Sequence, residues 1–364
     1  MRAHKVERVA VKALKLETEQ QPESDGTITW DATTMVLVEC SANGVTGLGY
    51  SYAHAATARI IESELVSCVT GLDVSATVEA HRRMTVAVRN QGRDGIAAAA
   101  ISAVDNALWD LKARALDVSL ASLLGLARTE VPVYASGGFT SSSLDMLARE
   151  FGEYRERGFT RVKLKVGRDV TRDRDRIRTV REAIGPDIGL MVDANGGYER
   201  KEALRMAEVF AEYGAEWFEE PVSSDDLSGL QLLRDRGPAG LAIAAGEYGY
   251  DTTYFRRMLD ADAVDVLQVD ATRCAGITGF LRADALCVAR GLPLSSHCAP
   301  LLHAFASSGS AQFKHLEYFR DHARMEALVF DGVPKLERGS LKLELTRPGN
   351  GVRLRDDVVR RLTL

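Results

Sequence analysis

The sequence predicts an α/β fold, a (β/α)8-type barrel preceded by a smaller α+β domain. From residue 131 onward, eight short apolar or β-branched runs recur at spacings of about 22 to 30 residues. Amphipathic stretches separate these runs, as in 143–158 and 200–214, with apolar residues at helical spacing. No GxGxxG motif follows the first run, so the pattern favours a closed barrel over a doubly wound open sheet.

The first 125 residues follow a different pattern. Strand-like alternation over 6–16 and 33–52 is interrupted by an Ala-Asn-Gly turn, which predicts a hairpin. Ala-rich helical stretches follow at 58–69 and 95–116, and this order of strands before helices predicts an α+β domain over 1–125. The barrel then occupies 126–332, and a tail over 333–364 contributes a strand and a Pro-Gly-Asn-Gly turn.

Composition and charge exclude several classes of protein. The 364 residues carry 46 basic against 51 acidic side chains, with no separate basic block, which argues against nucleic-acid binding. The longest apolar runs are too short and too rich in alanine to span a bilayer, and the N-terminus lacks the features of a signal peptide. Five scattered cysteines with no CxxC pair indicate reduced thiols, so we expect a cytoplasmic protein without a membrane partner.

Three acidic residues end three consecutive strands of the predicted barrel: Asp193, Glu219 and Glu247. In such barrels the chemistry lies at the carboxyl ends of the strands, so these side chains should lie side by side. Three hard oxygen ligands without cysteine or histidine suit Mg²⁺. The alternative is that each is an ordinary loop acid or salt-bridge partner.

Two lysines, Lys163 and Lys165, lie on one face of the second barrel strand. The residues that alternate with them are apolar and should face the surrounding helices, so the lysines should point into the barrel. Two adjacent ammonium groups beside a divalent cation would depress each other's pKa, which would make one of them a base near neutral pH. The alternative is a strand with solvated lysines at its edge.

The last three strands end with Asp270, His297 and Glu317. A carboxylate bonded to one imidazole nitrogen leaves the other nitrogen free as an acid or base, so Asp270 and His297 form a candidate catalytic dyad. Glu317 could hold a proton and stabilise a developing oxyanion, or it could form a simple ion pair. His303 and His315 have no such partner and are interpreted as structural or supporting residues.

The segments that hold these residues resemble the enolase superfamily and, within it, the mandelate racemase subgroup. The matching segments, in family order over roughly 130–320, are KLKVG, VDANGGY, WFEEPV, AAGEY, VDATRCAGIT, SSHCAP and HLEYF. The resemblance implies a modified (β/α)7β barrel, with a capping domain that the N-terminal segment and the C-terminal tail form together. It also implies a homo-oligomer. The sixth strand lacks the lysine of the muconate cycloisomerase and dipeptide epimerase branches, which supports the subgroup.

Position by position, the resemblance also implies roles for individual residues. Lys165 matches the base, and Lys163 matches its neighbour in the Lys-x-Lys pair. Asn195 matches a polar position near the metal that often touches substrate. The remaining roles follow the interpretations above: Asp193, Glu219 and Glu247 as Mg²⁺ ligands, Asp270 and His297 as the dyad, and Glu317 as the electrophilic acid.

The implied reaction is removal of the proton α to a carboxylate through a metal-stabilised enediolate. We expect dehydration of a sugar acid to a 2-keto-3-deoxy acid, because most resembling proteins with this dyad look like acid-sugar dehydratases. The same lysine and histidine could instead racemise or epimerise a 2-hydroxy acid, and a non-catalytic metal-binding barrel is the alternative from another class. The loop over 17–30, which in the family closes over the site, is polar and acidic. Its Trp30 is a candidate substrate contact, and His54, farther along the N-terminal domain, is a second one.

Overall fold

The computed structural model describes residues 4–19 and 22–364. The N-terminal part contains a three-stranded antiparallel sheet in the order β1-β4-β5 and a two-stranded ribbon of β2 and β3. These strands are β1 Arg8–Glu17, β2 Glu23–Ser24, β3 Thr29–Trp30, β4 Ala32–Ala42 and β5 Val45–Tyr52. The predicted hairpin is confirmed, because Ala42 pairs with Val45 around a two-residue turn in which Asn43 and Gly44 both have positive φ.

Helices cover one face of this sheet, as expected for an α+β domain. Gly49 permits close packing of α4 on β5, since a Cβ there would lie 2.3 Å from the backbone nitrogen of Ala107. The Asn106 side chain ties α4 to the barrel, as it donates to the Ala271 carbonyl at 3.1 Å and accepts from the Ile277 amide at 3.0 Å. The helices are α1 Ala56–Ile60, α2 Val66–Val69, α3 Thr77–Ala87, α4 Ile96–Ala115 and α5 Leu120–Leu123, with a π-helical turn at Ile61–Leu65.

Eight parallel strands form the second and larger unit, and they close into a barrel because β13 pairs with β6. Each strand coincides with one of the eight predicted apolar runs, so the predicted barrel is confirmed. The strands are β6 Glu130–Gly137, β7 Arg161–Lys165, β8 Gly189–Asp193, β9 Ala215–Glu219, β10 Ala242–Ala245, β11 Val266–Val269, β12 Leu294–Ser296 and β13 Phe313–Phe319.

A helix follows each barrel strand and buries its apolar face against the outside of the barrel. Val162 and Leu164 of β7 lie in this outer layer, which leaves the alternating residues Lys163 and Lys165 on the inner face. Within the described residues, no helix is both long and apolar enough to cross a membrane. The helices are α6 Leu144–Glu156, α7 Val170–Ile184, α8 Arg200–Glu212, α9 Leu227–Arg236, α10 Thr252–Asp260, α11 Gly276–Arg290, α12 Pro300–Ala306 with a 3₁₀ turn at Ser307–Gly309, and α13 Arg320–Val329.

The C-terminal segment contacts both units. Its hairpin of β15 and β16 pairs with the start of β6, while α14 packs against β1, and the backbone amide of Asn350 donates to Asp110 of α4 at 2.6 Å. The boundaries after residues 125 and 332 stay predictions. The elements of this segment are β14 Phe330–Asp331, β15 Lys335–Glu337, β16 Ser340–Lys342, β17 Arg353–Leu354 and α14 Asp356–Leu362.

One buried acid between the two units should make stability depend on pH. Glu326 accepts from the Tyr50 hydroxyl at 2.5 Å and from the Leu301 amide at 2.8 Å, and burial raises its pKa to about 8. Since the unfolded chain ionises near the ordinary value of 4.5, the contribution of Glu326 is full below that pH and is lost as pH rises towards 8. We expect Glu326→Gln to remove a pH-dependent loss on the order of a few kcal/mol between pH 5 and 8.

Urea unfolding at several pH values measures this effect. The exposed Glu182 offers a matched control, and Glu182→Gln should keep the pH dependence of the unaltered protein. Equal pH dependence in the two variants would contradict the prediction.

Candidate active site

The three predicted acidic ligands meet at the carboxyl end of the barrel. Asp193 and Glu219 end β8 and β9, and Glu247 follows β10 by two residues. One oxygen from each lies within 4.8 Å of the others, and all three side chains are buried. Burial and the neighbouring Asp193 carboxylate raise the pKa of Glu219 well above its ordinary value. Three crowded carboxylates are costly to bury without a cation.

The donor chemistry of this trio fits Mg²⁺. All three donors are hard carboxylate oxygens, and Oε2 of Glu247 is buried without a hydrogen-bond partner. The side-chain oxygen of Asn195, two residues after Asp193, is also buried without a partner. The residues that would hold the ion are therefore Asp193, Glu219 and Glu247.

Both lysines of β7 point into the barrel, as predicted. Lys163 is fully buried, with Nζ 2.5 Å from Oε1 of Glu219 and 2.8 Å from Oε1 of Glu317. Lys165 lies nearer the mouth, with Nζ 2.5 Å from Oδ2 of Asp193. The expectation of a depressed lysine pKa concerns lysines beside a divalent cation, and it stays a prediction. Burial opposes the positive charges, but Glu219 beside Lys163 and Asp193 beside Lys165 outweigh it and raise the pKa of both lysines.

The two residues of the predicted dyad, Asp270 and His297, are in direct contact. Nδ1 of His297 lies 2.8 Å from Oδ2 of Asp270, and the other oxygen of Asp270 accepts from the Thr272 amide at 2.7 Å. Burial opposes the charge on Asp270, but the hydrogen bond with His297 and the nearby charges keep its pKa low. The ionised carboxylate holds the imidazole so that Nε2 faces the acidic trio, 3.5 Å from Oε2 of Glu247.

Glu317 lies within β13 and forms an ion pair. Besides the contact with Lys163, its Oε2 accepts from the Cys298 amide at 2.7 Å. Burial opposes ionisation, but the charge of Lys163 keeps the pKa of Glu317 well below its usual range. The ion pair with Lys163 is therefore present, while storage of a proton by Glu317 beside bound substrate stays a prediction.

His303 and His315, which the sequence analysis interpreted as structural, have structural surroundings. Nε2 of His303 accepts from the Ala271 amide at 2.8 Å and Nδ1 lies 2.7 Å from the Cys298 carbonyl, so both nitrogens are used. His315 lies inside the barrel against Tyr134, with Nδ1 3.0 Å from the Ser295 hydroxyl, and burial lowers its pKa to about 3.

A cavity of about 410 Å³ opens above these groups, a size that suits a small ligand. Lys165 and His297 both line it, and so do the predicted substrate contacts Asn195, Trp30 and His54. Trp30 packs edge-on against Phe139 with ring centroids 5.6 Å apart, whereas His54 is exposed. The structure thus brings these residues to one cavity, while their roles in binding stay predictions.

The ribbon of β2 and β3 covers the mouth of the barrel. Ser24 and Thr140 are joined by a hydroxyl contact of 2.6 Å, and Thr140 also donates to the Asp25 carbonyl at 2.8 Å. Gly26 approaches the barrel so closely that a Cβ there would lie 2.1 Å from the Ala194 carbonyl oxygen. Only glycine fits this contact, which holds the loop against the residue that follows Asp193.

Sequence reasoning assigned no role to three residues that complete the site. Arg273 lies 3.2 Å from Oε1 of Glu247 and 3.6 Å from Oδ2 of Asp270, and so joins the metal trio to the dyad. Cys298, with positive φ, places its sulfur 3.2 Å from Nε2 of His297. Glu220 is fully buried beside the trio, and burial and Glu247 raise its pKa. The sequence offered only their proximity to predicted site residues. Glu220 and Cys298 directly follow Glu219 and His297, and Arg273 lies three residues after Asp270.

Comparison with known proteins identifies the family. The N-terminal domain of the mandelate racemase/muconate lactonizing enzyme family matches residues 8–125, and the enolase C-terminal domain-like family matches residues 146–358. The chain belongs to the mandelate racemase/muconate lactonizing enzyme family. The resemblance inferred from the sequence is therefore confirmed, together with the enolase-superfamily fold.

Solved structures and curated relatives agree with this family. A mandelate racemase/muconate lactonizing enzyme-like protein from Rubrobacter xylanophilus is 49% identical with a TM-score of 0.96, covering 99% of this chain and 100% of that one. A racemase from Streptomyces coelicolor with bound magnesium is 30% identical with a TM-score of 0.93, covering 99% and 100%. L-talarate/galactarate dehydratase from Salmonella typhimurium is 34% identical over 77% of this chain and 71% of its own length. Other relatives are named dehydratases and cycloisomerases.

Magnesium should stabilise the folded protein through the acidic trio. At a concentration 100 times the Kd, binding would add about 2.7 kcal/mol to the free energy of unfolding. We expect Glu247→Gln to weaken Mg²⁺ affinity by about 100-fold or more, since even residues that only support a ligand are worth 10 to 100-fold. Thermal unfolding across a magnesium titration measures this. Glu182→Gln is the control. Equal stabilisation of both variants by magnesium would contradict the predicted metal site at the acidic trio.

Proposed function

We propose that this protein is a Mg²⁺-dependent sugar-acid dehydratase, which removes the proton α to the carboxylate and expels the β-hydroxyl group. One observation carries the proposal: Lys165 and His297 line one cavity and contact different members of the acidic trio. Nζ of Lys165 lies 2.5 Å from Asp193, and Nε2 of His297 lies 3.5 Å from Glu247. A substrate carboxylate beside the trio would therefore have an amine on one side and an imidazole on the other.

The residues of the chain divide the proton transfers between them. When bound, the ion supplies positive charge that stabilises the substrate carboxylate as it gains negative charge during proton removal. The charge of the ion would also offset the Asp193 carboxylate that raises the pKa of Lys165, and Lys165 in its neutral form takes the α-proton. His297, held by Asp270, gives a proton to the departing hydroxyl group as the bond from the β-carbon to oxygen breaks. The resulting enol then becomes the 2-keto-3-deoxy acid.

The remaining charged residues position this pair. Lys163 bridges Glu219 and Glu317, so it offsets the negative charge beneath the cavity. Arg273 holds Glu247 and Asp270 in one arrangement, which ties the position of the imidazole to that of the trio. The ribbon of β2 and β3 lies over the mouth, and limiting the entry of water there would strengthen each electrostatic contact within the cavity.

The names of relatives support dehydration over the alternatives. Besides L-talarate/galactarate dehydratase, the similar proteins include an arabinonate dehydratase and an L-rhamnonate dehydratase, each 29% identical. The similarity to a solved racemase keeps racemisation as a second candidate, because His297 could return the proton to the opposite face. The names of two cycloisomerases add ring opening or closure as a further outcome.

The test is incubation of the magnesium-loaded protein in D₂O with a library of sugar acids and their lactones. Mass spectrometry and NMR then report exchange at the α-carbon, loss of water and configuration. Exchange with loss of water supports the dehydratase, whereas exchange with inversion supports the racemase. Isomerisation without loss of water would indicate a cycloisomerase. No reaction with any acid would overturn the proposal and favour a non-catalytic metal-binding barrel.

A further inference from the structure

We infer that the substrate is a monocarboxylic acid with an uncharged hydroxylated chain, and that the cavity rejects acids with a second carboxylate. This inference rests on the proposed function, and it names the class of acid within it. Similar proteins include a galactarate dehydratase and an arabinonate dehydratase, so their names cover both a diacid and a monoacid. The choice between them must come from the charges that line the cavity.

The lysine and the arginine among the described residues that line the cavity, Lys165 and Arg273, are already paired. Lys165 contacts Asp193, and Arg273 contacts both Glu247 and Asp270. A second carboxylate on the substrate would need a bidentate or charge-assisted partner to leave water. Arg273 already offsets the charges of Glu247 and Asp270, so a further carboxylate there would meet no unpaired cation.

The histidines of the cavity offer little positive charge to a second substrate carboxylate. Nδ1 of His297 is held by Asp270, and its Nε2 faces Glu247. His322 is stacked on Tyr52 with ring centroids 3.6 Å apart, and its Nδ1 accepts from the Ala299 amide at 3.3 Å. Burial lowers the pKa of His322 to about 3, so this ring is neutral at physiological pH. His54 is exposed at the edge of the cavity.

The wall that the N-terminal unit contributes is mostly uncharged, and its one charged side chain among the described residues is an acid. Among the described residues from this unit that line the cavity, Asp25 is the acid, and no lysine or arginine accompanies it. Asp25 is buried, and its Oδ1 accepts from the Thr27 amide at 2.7 Å and the Ile28 amide at 2.8 Å. This turn fixes a negative charge in the covering loop, where it repels a distant carboxylate of the substrate.

The same cavity offers neutral partners for hydroxyl groups. The uncharged residues Thr33, Thr34 and Trp30 line its wall. The side-chain oxygen of Asn195 is buried without a partner, although the residue is 8% exposed at the cavity. A buried acceptor is satisfied by a hydroxyl donor and not by an ionised carboxylate. The lining therefore matches a polyol chain.

Matched pairs of acids test this inference. Each pair shares its hydroxyl configuration and differs only in whether the far carbon is a primary alcohol or a carboxylate, as in D-gluconate with D-glucarate and D-galactonate with galactarate. Pairs that cover the other hexonic and pentonic epimers complete the set. Calorimetry with the magnesium-loaded protein measures binding, and deuterium exchange in the same samples measures chemistry.

We expect the monoacid of the best-bound pair to bind at least about tenfold tighter than its diacid, as for a charge desolvated without a partner. Diacids that bind equally or more tightly would overturn the inference and leave the proposed function intact. A monoacid preference without exchange or loss of water would support the inference and overturn the proposed function. Failure of every acid to bind would overturn both.

Two substitutions test whether the cavity wall from the N-terminal unit causes the preference for monoacids. Asp25→Asn keeps the acceptor oxygen of the turn but removes its charge, so affinity for the diacid should rise about threefold or more at low salt while monoacid affinity stays within twofold. Thr34→Arg adds an unpaired cation and should reduce the preference for the monoacid over the diacid further. Asp31, in the same loop but exposed and outside the cavity lining, supplies the control Asp31→Asn. An unchanged preference in both cavity variants would overturn the inference.

Discussion

Replacement of Lys165 by alanine should abolish both α-proton exchange and turnover of the substrate. A positioned general base contributes about 10²- to 10⁴-fold, so we expect a loss of at least about 10³-fold in kcat/KM. The fold should survive, because Asp193 keeps its contact with Lys163 at 3.3 Å when Lys165 is removed. Mass-spectrometric exchange assays and steady-state kinetics measure the effect.

The control for Lys165→Ala is a lysine that takes no part in the site. Lys201 is exposed on α8, and Lys201→Ala should retain full exchange and turnover. Thermal unfolding with magnesium separates a chemical loss from a structural one, since Lys165→Ala should still be stabilised by the ion. Exchange that persists in Lys165→Ala would refute its assignment as the base.

The sequence was sufficient to predict the eight barrel strands and the functional residues near their carboxyl ends. Parallel strands of a barrel end at one mouth, so a regular run of apolar segments also places Asp193, Glu219 and His297 together. Alternation along β7 likewise fixed the direction of Lys163 and Lys165, because the apolar residues between them had to face the helices.

The ion pairs of the site and their effect on the pKa of its residues could not be predicted in the same way. The pKa of Lys163 depends on Glu317 and Glu219, which lie on different strands and reach it across the barrel. Spacing along the chain gives the neighbours of a strand end but not the distances over the barrel interior. For this reason the sequence did not predict the ion pairs that raise the pKa of Lys163, and it left open whether Glu317 is an acid or an ion-pair partner.

Local backbone geometry explains what was missed at the mouth. Cys298 and Glu220 adopt positive φ directly after functional residues, which turns their side chains back towards the cavity and the trio. No pattern in the sequence predicts that geometry for non-glycine residues. Arg273 was visible three residues after Asp270, but its contact with Glu247 joins loops from two strands and appears only in the fold.

The variant His297→Asn should separate the two halves of the reaction. Lys165 can still remove the α-proton when the imidazole is lost, so exchange with solvent should remain within about tenfold of the unaltered protein. Loss of water should fall by about 10³-fold or more, because no positioned acid then protonates the departing hydroxyl group. Parallel NMR measurements of exchange and product formation in D₂O give the ratio of the two rates.

The ratio also distinguishes the proposed dehydratase from a racemase. In a racemase, the asparagine variant would exchange the proton of one enantiomer and leave the other untouched, whereas in a dehydratase exchange would proceed without product. Asp270→Asn should reproduce the effect in weaker form, since Asp270 acts through its 2.8 Å contact with Nδ1 of His297. His4→Asn, at an exposed contact with Asn43 in the N-terminal unit, is the control. If exchange and loss of water fell together in His297→Asn while magnesium binding was kept, the division of labour between the lysine and the histidine would be wrong.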